Sequence, residues 1–216
     1  MNEVYIVGAG GLAAELTEYV KDNNLKMEEQ VSIKGYFDVS SKAYLENKFS
    51  SPYLGDERDY SFSKGSAVLI AIGDVKARNR CIEYFSNLDV LLPNFIHHSA
   101  FIASSVNMKG GNIICPNVII GPNVILGQGN LINYSSAIPH DCHIGDVNVF
   151  SPNVQITGQT GIGSSNFFGT SVTCLPRIKI GDSNKIQAGI VVKKDIGNGR
   201  IIYCGSKNND IKSHNL

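Results

Sequence analysis

The sequence predicts a small Rossmann-like α/β domain followed by a left-handed parallel β-helix of hexapeptide repeats, and two observations predict it. Sixteen residues at a strict spacing of six are aliphatic, aromatic or cysteine: Ile102, Met108, Ile114, Ile120, Leu126, Ile132, Ile138, Ile144, Phe150, Ile156, Ile162, Phe168, Cys174, Ile180, Ile186 and Val192. Ahead of them, short apolar runs ending at glycine or aspartate alternate with segments of helical spacing. The 216 residues divide on this basis into 1–97, an α/β domain, 98–205, the β-helix, and 206–216, a carboxyl-terminal tail.

In the first domain, Val4-Tyr5-Ile6-Val7 stops at Gly8-Ala9-Gly10-Gly11, and Leu12, Leu16, Tyr19 and Val20 follow at helical spacing. This is strand, tight turn and helix. Glycines in the turn admit phosphate oxygens, and the helix amino terminus offers N–H groups and a favourable dipole. A second run, Val31 to Phe37, ends at Asp38, and a third, Ala67 to Ile72, ends at Gly73-Asp74 before a helix from about Val75 to Leu88. Alternation of strand and helix implies a parallel sheet that binds ligands at the carboxyl ends of its strands. The candidate substrate residues are therefore Gly8, Gly10, Gly11, Asp38, Gly73 and Asp74. The pattern Gly8-x-Gly10-x-x-Ala13 also occurs in ordinary strand-turn-helix units, and Asp38 also reads as a loop acid. A dinucleotide-binding dehydrogenase domain is disfavoured because the sheet stops near residue 95 and a β-helix follows, so a mononucleotide fits the space better.

In the repeat, three hexads close one triangular coil, and sixteen units make about five coils around a shared core. The fourth residue after each inward position is a second inward site, filled by Val106, Val118, Val124, Ser136, Cys142, Val154, Thr160, Val172 and Ile190, with Asn at several others. Residues preceding the inward positions point outward. Eighteen apart, Ile113, Leu131, Val149 and Phe167 stack as an apolar column, which predicts a subunit seam in a closed oligomer, or packing on the first domain. Lys plus Arg and Asp plus Glu both number nineteen, which gives no argument for nucleic acid, and only seven of these charges lie between 102 and 192. No stretch approaches the roughly 18 apolar residues of a membrane span. Met1-Asn2-Glu3 lacks the basic start of a signal peptide, so a cytoplasmic protein is expected. The five scattered cysteines fit reduced thiols and have no metal-ligand spacing.

Within the coils, Ile132 to Asp146, which holds Pro139-His140-Asp141-Cys142-His143, is chemically distinct and the most polar stretch. His140 falls two places past inward Ile138, so its ring leaves the coil near a corner. Beside Asp141, which can fix its tautomer and stabilise its protonated form, it is suited to general-base work. His140 and His143 also raise a metal reading, but a zinc site needs a third ligand and His97, His98 and His214 lie outside the repeat; no metal is expected there.

Gly8-Ala9-Gly10-Gly11, Gly35-Tyr36-Phe37-Asp38, Ala71-Ile72-Gly73-Asp74, Ile132-Asn133, His140 to Asp146 and the register resemble, over nearly the whole chain, the bacterial sugar acyltransferases of the PglD and sialic-acid O-acetyltransferase (NeuD) type. The resemblance implies a homotrimer that moves acetyl from acetyl-CoA to the amino group of a nucleotide-linked amino sugar, in bacterial surface-glycan biosynthesis. It implies His140 as base, Asp141 as its partner, Asn133 beside the reacting amine, and Gly158, Ala188 and Gly189 against acetyl-CoA. Alternatives are O-acetylation, as on sialic acid, and a non-catalytic binding scaffold. The last follows from Leu12 and Val149, which stand where the family has histidines; a further departure, Gly205-Ser206-Lys207-Asn208 in place of its Gly-Asn-Pro-Ala, bears on substrate identity and acetyl-CoA positioning.

Overall fold

The computed structural model describes residues 2–204 and 211–215, in two compact units, Met1–His98 and Ser99–Leu216. In the first, β1 (Asn2–Val7), β2 (Val31–Phe37) and β3 (Ala67–Ile70) form a parallel sheet in the order β2-β1-β3. Helix α1 (Gly11–Lys26) buries Ala13, Leu16, Thr17, Val20 and Asn23, the three-and-four spacing that sets one stripe against a core. After α2 (Ser41–Asn47), α3 (Val75–Ser86) buries Arg78, Cys81, Ile82 and Phe85. Arg78 is wholly buried, and its Nη1 donates to the carbonyls of Ile70 at 2.5 Å and Ile72 at 3.3 Å, tying α3 to the end of β3. The sequence reading had missed this arginine, because a charge on a helix is ordinarily solvated.

The second unit is a parallel β-helix. Two-residue strands stack at a rise of eighteen residues, as in Ile113, Leu131, Val149, Phe167 and Lys185, each bonded in register to the next. Of the sixteen predicted inward positions all from Ile114 to Val192 are buried, each worth roughly 1.5–3 kcal/mol when fully enclosed. Phe150 and Phe168 stack with ring centroids 4.7 Å apart. The coil continues past the last hexad with a two-residue deletion, Ile186 pairing with Ile202 and Ile180 bridging to Ile196. Ile211–Asn215, inside the stretch expected to be a tail, then pairs antiparallel with Arg200–Cys204. The replaced segment Gly205 to Asn208 lies outside the described residues.

The inward asparagines form a ladder. Asn112, Asn130, Asn148, Asn166 and Asn184 are buried, and the side-chain oxygen of each of the first four accepts both the backbone N–H and the side-chain amide of the asparagine one coil on, at 2.8–3.1 Å, while that of Asn184 accepts the Arg200 N–H. Every sixth residue at the corners takes positive φ: Asn117, Asn123, Gly129, Ser135, Asp141, Val147, Asn153, and so on to Gly189. Short polar residues and glycine tolerate that conformation, which is why they recur there; Val147 at φ 56° is the β-branched exception.

One expectation is corrected. Ile113, Leu131 and Val149 are only 1, 2 and 3 % exposed in the single chain, so their column is not a bare apolar patch. Exposed apolar side chains stand elsewhere on the coils, at Phe101 (61 %), Ile119 (50 %) and Ile125 (41 %). The outward rule was sound locally, but burial is a property of the folded surroundings and not of the register.

Asn148→Ala should break the ladder at its middle. It removes the acceptor of the buried Asn166 N–H, a loss of about 1–3 kcal/mol for each group left unsatisfied. Urea denaturation should show a lower midpoint; an unchanged midpoint would make the ladder dispensable.

Candidate active site

His140 projects from a coil corner, its side chain more than half exposed, just after Ile138 turns inward. Its Nδ1 lies 2.8 Å from Asp141 Oδ2. The other carboxylate oxygen, Oδ1, accepts from Asn123 Nδ2 at 3.0 Å. The Asn123 amide, and after it the His140 ring, hold the Asp141 carboxyl below its ordinary range. An ionised carboxylate only accepts hydrogen bonds, so the shared proton belongs on Nδ1 and the lone pair on Nε2. The corner thus presents a base with a fixed tautomer.

Coil stacking supplies the rest. Gly158 lies one coil beyond His140, and a β-carbon there would come within 2.6 Å of the imidazole Cε1 and Nε2. Glycine at 158 is what lets the ring lie across the backbone. On the other side Gly121 is packed against Pro139 and the His140 N–H, where a β-carbon would meet backbone at 2.9 Å. Asn123 had been missed. It occupies the same left-handed corner as Asp141 one coil earlier, a relation visible in sequence once the eighteen-residue rise is applied to polar positions as well as apolar ones.

Asn133 is half-buried, and its side-chain oxygen accepts the Tyr134 N–H at 2.8 Å. Ala188 lines an open cavity of about 530 Å³ with Ser151, Phe167, Gly169, Gln187 and Tyr203. Gly189 takes φ +73°, so the corner itself calls for glycine at that position. Val149, where the resembling family has histidine, is buried and brings no chemistry.

In the first domain the glycines separate by role. Gly8 has φ +98°, and a β-carbon there would strike the Ala71 carbonyl oxygen at 2.5 Å, so the fold itself requires glycine. At Gly10, Gly11 and Gly73 a β-carbon would meet no protein atom within 4 Å. The Ala9 peptide is pinned at both ends, its N–H donating to Asp38 Oδ2 at 2.9 Å and its carbonyl accepting from Asn47 Nδ2 at 3.0 Å. Asp38 therefore shapes the turn, and Asp74 caps α3 by accepting the Ala77 N–H at 2.8 Å. Gly10 precedes helix α1 as its N-cap and supplies no side-chain hydrogen bond, which leaves the first N–H groups of the helix to a ligand or water. A larger cavity, about 830 Å³, lies at the amino ends of the strands, lined by Val4, Val31 and Ala67, opposite the glycine turn.

Residues 3–85 match the PglD N-terminal domain family. Solved structures resemble the chain over its whole length. One is the acetyltransferase domain of PglB from Neisseria gonorrhoeae in complex with acetyl coenzyme A, 22 % identical, TM-score 0.82, matched over 99 % of this chain and 100 % of that one. A variant of GDP-perosamine N-acetyl transferase from Caulobacter crescentus, in complex with CoA and GDP-perosamine, is 25 % identical with TM-score 0.81, over 98 % and 97 %. WeeI from Acinetobacter baumannii is 20 % identical with TM-score 0.80, over 99 % and 100 %. The fold is thus the small α/β domain followed by a left-handed β-helix.

The two kinds of glycine can be told apart by stability. Gly8→Ala should unfold at a clearly lower denaturant concentration, a strained backbone costing about 1–3 kcal/mol. Gly10→Ala should stay within about 0.5 kcal/mol of wild type. Equal losses would mean that the turn does not distinguish them.

Proposed function

We propose that this chain, whose first domain belongs to the PglD N-terminal domain family, is an acetyl-CoA-dependent N-acetyltransferase acting on a nucleotide-linked amino sugar in bacterial surface-glycan biosynthesis. The observation that carries the reading is the corner itself, where His140, its Nδ1 bonded to Asp141, lies over the bare backbone of Gly158. The similar N-acetyl transferase at 25 % identity, described with CoA and GDP-perosamine, supports the amino-sugar substrate.

In this mechanism the neutral amine attacks the thioester carbonyl carbon, with Asn133 beside it. Nε2 of His140 takes the proton the amine loses as the C–N bond forms, and Asp141, already ionised, stabilises the imidazolium. The Gly158 N–H faces the developing oxyanion. Cleavage of the C–S bond then releases the thiolate, to which the proton on Nε2 can pass. Ala188 and the neighbouring cavity hold the CoA arm. In the first domain the nucleotide diphosphate lies at Gly10, Gly11 and Gly73, where no protein atom fills the space and the α1 amino terminus meets the phosphates. Asp38 and Asp74 act on the ligand chiefly by holding these backbones in place.

We further propose a homotrimer. Ile119 and Ile125 flank Gly121–Asn123, the corner stacked directly beneath His140 and Asp141, and both are half-exposed. Covering such side chains is worth roughly 1.5–3 kcal/mol each, and a seam there would put the base where a neighbouring subunit completes the site. Five cysteines outside any disulfide, four of them buried, suit the reducing cytoplasm. Among the described residues no helix is long and apolar enough to cross a membrane.

CoA release measured over a panel of nucleotide amino sugars and sialic acid tests the activity and separates amine from hydroxyl acceptors. His140→Ala should lower kcat by about 10²- to 10⁴-fold, the usual worth of a general base. Asn123→Ala and Asp141→Asn, which act through the ring, should cost less and leave KM for acetyl-CoA unchanged. A wild-type rate in His140→Ala would remove the base assignment.

Ile119→Glu should dissociate the assembly and lower activity together. Light scattering that found a fully active wild-type monomer would exclude the trimer.

A further inference from the structure

Asp22 and Asn23 at the end of α1 grip the last residues of the first domain. Asn23 is buried, donating from Nδ2 to the Ile96 carbonyl at 2.9 Å and accepting the His98 N–H on Oδ1 at 2.8 Å. Asp22 takes the two rings. His97 Nε2 lies 3.2 Å and His98 Nε2 2.8 Å from the same oxygen, Oδ2. At the turn that follows the strand, the two rings converge, their centroids 4.4 Å apart. The His97 side chain is only 5 % exposed.

We propose that Asp22, His97 and His98 bind a divalent cation of the zinc class, at a site separate from the acyl-transfer corner. Two imidazole nitrogens and one carboxylate oxygen are the donors such ions take, at about 2.0–2.2 Å in tetrahedral array, which sets ligand atoms roughly 3.3 Å apart. The His97–Asp22 separation of 3.2 Å already meets this, the His98–Asp22 separation of 2.8 Å is about half an ångström short of it, and all three ligand atoms lie within 4.8 Å of one another. Asn23 fixes the backbone that carries both rings, so little ordering remains for the ion to impose. Asp22 is half-exposed, which leaves the fourth position open to water. On binding, the single proton of each neutral ring moves from Nε2 to Nδ1, which frees the Nε2 lone pair for the ion.

The test is titration of the chelator-treated, full-length Cys204→Ser protein with Zn²⁺ by calorimetry and with Co²⁺ by visible absorption, Cys204 being an exposed thiol. One saturable equivalent is expected, with a raised melting temperature. Asp22→Asn and His98→Ala, both at surface residues and so compatible with folding, should weaken binding by about tenfold or more. H140A/H143A should leave it unchanged. No saturable binding, binding that survives both first-domain substitutions, or binding lost with the coil histidines would each overturn the assignment. Because the readout is metal affinity, it stands or falls independently of transferase activity.

Discussion

The eighteen-residue rise of the coil is the constraint on which the rest of this protein depends. It is enforced by backbone bonds between coils, such as Leu131 N–H to Asn148 O at 2.9 Å, and by the buried asparagine ladder. Apolar side chains alone fill a core but tolerate slippage, since one aliphatic residue replaces another with little loss. A buried amide does not. A coil displaced by one residue would strand polar atoms at every asparagine, and it is that penalty which makes the register unique.

The same rise assembles the corner chemistry. Asn123, Asp141 and Gln159 occupy equivalent left-handed corners in successive coils, and Gly121, Pro139 and Thr157 precede them in step. Asp141 is therefore at once a residue that tolerates positive φ and the hydrogen-bond partner of the adjacent imidazole. Asn123 reaches it from the coil below because corner side chains stack. Gly158 completes the stack by leaving room for the ring. No loop has to be ordered to build this arrangement, so its geometry is as rigid as the coil.

The first domain uses a different device. Its turn is shaped by hydrogen bonds to one peptide, from Asp38 on one side and Asn47 on the other, with Gly8 pressed against the Ala71 carbonyl. These contacts hold Gly10 and Gly11 in place while leaving the space beside them open. The residues that form the turn and those beside which space stays open are thus neighbours in sequence with opposite requirements, one set for close protein contact and the other for none.

The sequence alone determined the two-part fold, the three first-domain strands that stop at glycine or aspartate, the inward set of the coil and the His140–Asp141 pair, because each follows from a local period or a neighbour in the chain. Period six is a covalent spacing, and Ile114 to Val192 could obey it only by facing one core. Tertiary structure alone decided which outward residues stay exposed. Ile113, Leu131 and Val149 match Ile119 and Ile125 in character, but the former are covered and the latter are not. It also decided that Asp38 and Asp74 have structural partners, that Asn123 supports Asp141, and that His97 and His98, adjacent in the chain, turn to the same carboxylate 75 residues away in sequence. Burial and hydrogen-bond partnership depend on what distant segments bring to a site, and no local spacing records that.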